Sequence, residues 1–482
     1  MTTVDNTLNH PDYNTAKDDL LLVRECMSGE SELKRSVNRK IYIPDPRYID
    51  GKARTAQAIA EYNSYLEGAE YDDFVSPTVS AWVGLLNLSK CEFELPPVID
   101  YLENNADGDG TSLTALMSMA ASNVFQTKYH GLLVEYGMGL PDIQTNTLTR
   151  SEQRDFGIQV SIKSYKRESI RDWGFINVGG VKKLSYLKLS ETVEVRGENN
   201  TLSTATNYLT LALDDDGYYY QKKDYQNAEN KNTTEIIYPE ANRNKLTEIP
   251  FVFLMDEETE PGFIPRKMGP IYPIAKKAIA RMRTSADLNR SLKITGVPGV
   301  FTKGWKINDD ELFVQLNEGR RNIAFGASNN LPNDVTVDIV QMAGSGQPLF
   351  EKMDRNQEEA KALGARFDFQ KNKNQTATES NNIKQKETAM LINAASEIEY
   401  CFEKILYWAS MFEGDEQETQ VTINKDFSNI KLSPEERKAV RDDVTMGLIS
   451  KEQAIQIYID GGILPKDSLD VIGELSPISA TG

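Results

Sequence analysis

The spacing of apolar residues divides the chain into stretches of helical and of strand-like period. Near the start, Leu20, Val23 and Met27 fall at helical spacing in an otherwise polar run, predicting an arm and one helix over residues 1–40. Two more helical patterns cover 53–67 (Ala53, Ala56, Ile59, Ala60) and 112–129 (Leu113, Leu116, Ala120, Val124), separated by the Pro96-Pro97 break. From about 155 to 260 the period becomes two. Ile158, Val160 and Ile162 alternate with polar residues, as do Leu209, Leu211 and Leu213 ahead of the turn Asp214-Asp215-Asp216-Gly217. Tyr218-Tyr219-Tyr220 then predicts a return strand, 224–248 an exposed polar loop, and Ile249 to Leu254 a further strand. The section reads as an antiparallel sheet.

A helix is expected from about Pro270 to Ile294, with Pro at its start and Gly296 and Pro298 beyond its end. Residues 296–344 return to β character in Val300-Phe301, Leu312-Phe313-Val314 and the alternating Val335, Val337 and Ile339. Helical spacing resumes over 347–366 (Phe350, Met353, Leu363), followed by Gln370-Lys371-Asn372-Lys373-Asn374-Gln375, a basic polar loop with no apolar anchor. The longest helix spans roughly 379–413. There Leu391, Ile398, Ile405 and Phe412 repeat every seven residues, and Ala395, Phe402 and Ala409 follow four residues after the first three. Such a seam of about 30 residues makes a rod of roughly 45 Å. A helix pair closes the chain: Ser433-Pro434-Glu435-Glu436 and Ser450 to Gln453 are capping boxes, and Gly461-Gly462 and Pro465 are stop signals.

The 482 residues exceed one usual domain, so more than one core is expected. With 39% hydrophobic and 26% charged residues the chain has the composition of a folded globular protein. Residues 1–10 lack the basic and apolar blocks of a signal peptide, and no apolar run approaches the roughly 20 residues of a membrane span, so neither secretion nor membrane insertion is expected. Three scattered cysteines, Cys26, Cys91 and Cys401, suit a reducing compartment and form neither a disulfide framework nor a thiolate zinc site. A formal net charge of −18 argues against gripping nucleic acid by a broad basic surface. It leaves room for weak contacts, and an acidic wall would keep DNA mobile.

Chemistry-bearing motifs are scarce. There is no Gly-x4-Gly-Lys-Ser/Thr phosphate cradle and no Gly-x-Ser-x-Gly elbow, and the two histidines, His10 and His130, cannot supply a multi-histidine metal site. No enzyme activity, cofactor or metal is expected. Asn105-Ala106-Asp107-Gly108-Asp109-Gly110 resembles the opening of a calcium loop, but its twelfth position is Leu116 where a bidentate Glu is needed, so it reads as a Gly-rich turn into a helix capped by Thr111 or Ser112. Lys276, Arg283 and Arg290 recur every seven residues and fall nearly on one helical face, either a solvated charged face or a DNA contact.

A series of short runs in order along about 450 residues is similar to the portal (head-to-tail connector) family of tailed bacteriophages long catalogued as a domain of unknown function. They include His10-Pro11-x-Tyr13, Tyr42-Ile43-Pro44, the run from Asp107 to Leu113, Gly131-Leu-Leu-Val134, Ile170-x-x-Trp173 and Ile249-Pro-Phe-Val252. Further runs are Leu288-Asn289, Gly296-Val-Pro298, Leu363-Gly-Ala365, Thr376-Ala-Thr-Glu379, Asn424-Lys-Asp-Phe427 and Gly447-Leu-Ile-Ser450 through Gly461-Gly-Ile-Leu464. The resemblance implies an α+β portal fold. Its parts would be an N-terminal arm and helix (1–40), an α/β wing (41–269), two stem helices (270–295 and 345–366) flanking a small β-containing clip (296–344), a tunnel loop (367–380), a long wing helix (381–425) and a helical crown (426–482). The spacer 142–155 and the Asn-rich loop near 224–248 depart from the family pattern.

What the resemblance implies functionally is a homo-oligomeric ring, typically of twelve subunits, at a capsid vertex of the virion. It would be assembled in the bacterial host cytoplasm and used for DNA packaging and ejection. The partners implied are the terminase large subunit, the major capsid or scaffold protein, tail adaptor proteins and viral double-stranded DNA without sequence preference; no membrane is implied. Gln370, Lys371, Asn372, Lys373 and Asn374 would face DNA from the tunnel loop, or form a loop that is merely soluble. Lys303, Lys306, Arg320 and Arg321 in the clip would meet an acidic partner, or simply solvate an exposed insert. The alternative is another virion structural protein, a minor head or tail component, which shares the acidic, motif-poor, multi-segment character.

Overall fold

The computed structural model describes residues 9–45, 55–86, 91–136, 158–196, 202–226, 232–241, 244–260, 262–296, 299–304, 309–316, 331, 335–340, 346–365, 377–415, 417–423, 425 and 434–460. Helix α1 (Pro11–Ser28) opens with a proline at its first position, where the missing N–H is no loss. Its buried stripe is Tyr13, Ala16, Leu20, Val23 and Cys26, so Cys26 takes the place expected of Met27. Short helices α2 (Glu30–Arg35) and α3 (Arg39–Tyr42) follow, then α4 (Ala56–Glu67), whose cap Thr55 accepts from the Ala58 amide at 3.2 Å. Helix α4 does not bury the alanine face read from sequence. It buries Tyr62, Tyr65 and Leu66 while Ile59 is exposed, because the two tyrosines cover more area and their hydroxyls find partners in the Ile43 carbonyl and the Asp287 carboxylate.

Helix α5 (Val75–Leu86) and strand β1 (Glu92–Glu94) lead to α6 (Leu113–Thr127), which is capped by Ser112 and buries Leu116, Ala120 and Val124 as expected. Strand β2 (Tyr129–Tyr136) leaves α6 directly and is the centre of a three-stranded antiparallel sheet between β3 (Val160–Tyr165) and β11 (Phe251–Met255). Gly131 allows the close crossing of β11, since a Cβ there would lie 2.4 Å from the Phe251 ring.

Between β3 and β11 runs an antiparallel meander of β4 (Ile170–Val178), β5 (Val181–Arg196), β6 (Leu202–Leu213), β7 (Tyr219–Gln226) and β8 (Asn232–Ile237). The expected hairpin is β6–β7, with Leu213 opposite Tyr219 and the turn held by Asp214, which accepts from the Tyr218 amide at 2.7 Å. The supposed polar loop 224–248 is corrected in part. It contains β8, in register with β7 from Gln221↔Ile237 to Gln226↔Asn232, and the small pair β9 (Glu240–Ala241) and β10 (Asn244–Lys245). An edge strand needs backbone partners more than it needs apolar side chains.

Helix α7 (Tyr272–Gly296) matches its sequence reading. Strands β12 (Gly299–Lys303) and β13 (Thr336–Val340) pair as a small antiparallel ribbon. Leu312-Phe313-Val314, read as a strand, lies instead in helix α8 (Asp309–Leu316), whose first turn carries Asp309, Asp310 and Glu311 at the positive end of the helix dipole. Helices α9 (Gln347–Ala362) and α10 (Ala377–Phe412) follow, so residues 377–380 are helix rather than loop. Every residue of the α10 seam is buried, and the helix lies along β11 and β2. Strand β14 (Gln420–Thr422) pairs with β1, and α11 (Pro434–Thr445) and α12 (Lys451–Asp460) end the described chain. The Ser450 box forms in full: Gln453 N donates to Ser450 Oγ at 3.2 Å, and Ser450 N to Gln453 Oε1 at 2.8 Å.

The chain folds as two compact units. One holds residues 1–15, 80–269 and 375–482, the other 16–79 and 270–374. Residues 41–79, expected with the sheets, thus join the unit of α7 and α9. Polar contacts fasten them there: the Glu70 amide donates to Ser285 Oγ at 2.9 Å and Asn289 Nδ2 to the Gly68 carbonyl at 2.6 Å.

In the sheet-bearing unit, the C-terminal end of α6 is tied into a polar knot. Lys128 holds φ at +83°, the only described non-glycine residue with positive φ, and its ammonium is 2.6 Å from both Asp256 and Glu257. Buried Arg167 donates to the carbonyls of Thr127 (2.6 Å), Lys267 (2.8 Å) and Arg266 (3.2 Å) and lies 4.5 Å from the Tyr129 ring centroid. Gly269 passes so close that a Cβ would sit 2.3 Å from the Phe125 oxygen.

Candidate functional site

The region to which the sequence assigns function is the helix pair α7 and α9 with the β12–β13 excursion between them. The two helices pack along each other, with Ile274, Ala278 and Met282 buried on α7 and Asn356 and Ala360 on α9. Gly346 starts α9 with φ +64°, and a Cβ there would meet Leu288 at 3.0 Å. Charge stitches the flanks. Lys277 pairs with Glu359, which Arg355 also reaches at 2.9 Å, and the two cations hold the Glu359 carboxyl below its ordinary range. Arg281 pairs with Asp72 and donates to the Met353 carbonyl at 2.8 Å.

The cations spaced by seven differ in what they meet. Lys276 is exposed, with its ammonium 5.0 Å from the Tyr272 ring centroid. Arg283 donates to the carbonyls of Tyr42 (2.9 Å) and Ile41 (3.0 Å), satisfying the end of α3. Arg290 is half-buried and close enough to Tyr65 for its charge to act on the phenol, which burial and Asp287 push upward. Arg283 is therefore a structural clamp, and periodicity missed Lys277 and Arg281, the cations that join α7 to α9 and to the Asp72 segment. Lys303 is exposed on β12 and paired with Asp338 on β13, a cross-strand pair of the ribbon. Lys306, Arg320 and Arg321, and the loop residues Gln370, Lys371, Asn372, Lys373 and Asn374, lie outside the described residues.

Among the described residues no group of three His, Cys, Asp or Glu converges as a metal site. His130 is buried with Nε2 2.7 Å from Ser164 Oγ, and His10 stacks on Trp173 with centroids 4.1 Å apart. Burial pushes the thiols of Cys26 and Cys401 up to about 12 and that of Cys91 to about 11, so none of the three is thiolate at neutral pH.

The calcium-like run is the expected turn. Asp107 Oδ1 accepts from the amides of Asp109 (2.8 Å) and Thr111 (3.1 Å), and Asn105 Oδ1 from Gly110 (2.8 Å), so the apparent ligand oxygens serve the backbone. These donors hold the Asp107 carboxyl below its ordinary 3.8 despite some desolvation. A depressed carboxyl contributes stability above its unfolded value and loses it as pH falls through the folded value. Asp107→Asn is expected to flatten the acid limb of the stability profile below about pH 4, as followed by urea unfolding across pH. An unchanged acid limb would show that the turn does not depend on the charge.

Taken together, the described residues form a mixed α+β protein with antiparallel sheets and long helices. Residues 270–413, from α7 through α10, match a family described as a domain of unknown function (DUF4055), the kind of family to which the ordered sequence runs point. No curated protein matches the chain. Among solved structures it is similar to a chain of the virion of a native gene transfer agent particle. The identity is 11% and the TM-score 0.38, covering 92% of this chain and 100% of that one. A chain from the neck of a native gene transfer agent particle, computed with C12 symmetry, matches at 11% identity and TM-score 0.37 over 88% of this chain and 99% of that chain. One from the neck of an empty particle, computed with C6 symmetry, matches at 11% and 0.37 over 86% and 97%.

Proposed function

We propose that the chain is a subunit of a bacteriophage portal, a ring at the head-to-tail junction of the virion through which DNA is packaged and ejected. The observation that carries this reading is the pair α7 and α9, packed along each other and flanking the β12–β13 ribbon, inside the one region that matches a family. Helix α7 is covered in part by α3 and α4, so it is chiefly the exposed flank of α9 that is left for neighbours. Identical copies can then stand side by side around a hole, with the ribbon at one end for adaptor and motor proteins.

On this reading the protein does no chemistry of its own. It acts as a conduit and as a docking platform for the terminase large subunit, the capsid or scaffold protein and tail adaptors. Lys371 and Lys373 would touch phosphates weakly and without sequence preference, each contact sensitive to salt. An acidic chain, at −18, suits a passage in which the duplex must slide. Negative-stain electron microscopy of the purified protein is expected to show closed rings with an axial hole, about twelve-fold. Solitary particles or open aggregates at all concentrations would sink the proposal. A metal-dependent DNA cleavage assay is expected to stay negative.

A further inference from the structure

The sheet-bearing unit carries an apolar surface that its described residues leave uncovered. At the tip of the β4–β5 hairpin, Gly179 and Gly180 take φ of +61° and +87°, a tight two-residue turn, and the flanking aliphatics Ile176, Val178 and Val181 are 43%, 50% and 59% exposed. Beside them stand Phe263, 54% exposed, and Tyr400 on α10, 61% exposed. Two cavities adjoin Phe263, one of about 800 Å³ and one of about 640 Å³, and both are lined by Phe175, Lys182 and Phe263. They form a two-lobed trough of the size that takes side chains of a partner.

The lobes differ in charge. The first holds Lys182, Arg266 and Lys267; its acids Asp12 and Glu257 are already engaged by Arg266 and Lys128. The second holds Glu248, Glu258, Glu260 and Glu397 against Lys183 and Lys404. Lys404 lies over the Trp408 ring, and burial together with the Glu258 charge raises the Glu397 pKa. The complement is an apolar segment with acids on one side and bases on the other.

The chain carries such a segment at the end of α11. Gly447, at φ +72°, donates to the Val444 carbonyl and Leu448 N to the Asp443 carbonyl, closing the helix in a Schellman motif. The residue after the glycine commonly packs back on the helix in this motif, yet Leu448 is 70% exposed and Met446 74%. Asp442, Lys438 and Arg441 are exposed on the preceding turns, with Asp443 half-buried.

We infer that the α11–α12 turn of one copy, through Met446 and Leu448, docks in the Phe263 trough of the next, with Asp442 and Asp443 toward Lys182 and Lys267. The inference rests on the ring reading, because ring closure requires two different patches on each subunit that complement one another.

The test is a double variant, Phe263→Cys with Leu448→Cys, oxidised with diamide as the assembled protein. Expected is a ladder of multiples of the chain mass on a non-reducing gel, collapsed by thiol, which neither single variant gives. Rings without a ladder overturn the docking and leave the ring reading standing. A wild-type protein that never forms rings overturns both. Independently, Phe263→Ala is expected to raise the concentration of half-assembly about tenfold. An unchanged midpoint overturns the docking even where the cysteine variants fail to assemble.

Discussion

Replacing Arg167 with alanine is expected to cost about 3–5 kcal/mol of stability, the largest loss from any single polar side chain in the described structure. The guanidinium is buried and gives hydrogen bonds to three carbonyls on two separate segments, Thr127 on one and Arg266 and Lys267 on the other. Its removal takes the donor from the buried Thr127 carbonyl and from the part-buried Arg266 and Lys267 carbonyls, and a buried orphan costs about 1–3 kcal/mol. Desolvation pulls the arginine pKa down, and Tyr129, Glu168 and Asp12 act against that shift. Arg167→Lys should recover less than half of the loss, since one ammonium cannot replace a planar fork that serves three acceptors. Equilibrium urea unfolding measures both variants. A loss below about 1 kcal/mol for the alanine variant would mean that water replaces the guanidinium and that the knot is dispensable.

The second large effect is expected at Phe402, in the middle of the α10 seam. Phe402 is fully buried where α10 lies along β11 and β2, so Phe402→Ala should cost about 3–5 kcal/mol through lost burial and an unfilled cavity. Tyr400, two residues away, is 61% exposed, and Tyr400→Ala should change the stability of the single chain by less than about 0.5 kcal/mol. The contrast is the informative quantity. Equal losses at the two positions would show that the helix is rotated from the orientation described. Both variants are read by the same urea titration at a protein concentration that keeps subunits apart.

The helices α7 and α10 were legible because each keeps one apolar stripe over many turns and is bounded by Pro or Gly; α9 was found from Phe350, Met353 and Leu363, yet Phe350 and Leu363 are exposed and the helix buries Asn356 and Ala360 instead. The β6–β7 hairpin was legible because Asp214 and Gly217 are the residues such a turn demands. Three elements escaped for physical reasons. Helix α5 is apolar on most sides and has Pro77 in its first turn, where a proline is tolerated, so no period stood out. Strand β2 starts one residue after α6, and the stop is Lys128 at φ +83°, a residue type that carries no stop signal. Its conformation is fixed by Asp256 and Glu257, about 130 positions downstream. Strand β8 is polar because it lies at an edge, where the β7 ladder holds it. In the candidate site, the seven-residue spacing of Lys276, Arg283 and Arg290 reported a helical face faithfully. What that face meets was not legible, since the Ile41 and Tyr42 carbonyls that take up Arg283 lie some 240 residues earlier in the chain.

That neutralisation of α7 reaches beyond folding. Lys277 and Arg281 are ion-paired with Glu359 and Asp72 of their own chain, whereas Arg283 reaches neutral carbonyls and keeps its charge. A cation already matched inside the protein carries little condensed-ion exchange to a polyelectrolyte, so on the portal reading proposed above these two would release few bound ions if a duplex came near. On that same reading, the drag between these two side chains and a sliding duplex would vary little with ionic strength, leaving the salt response of transport to side chains elsewhere.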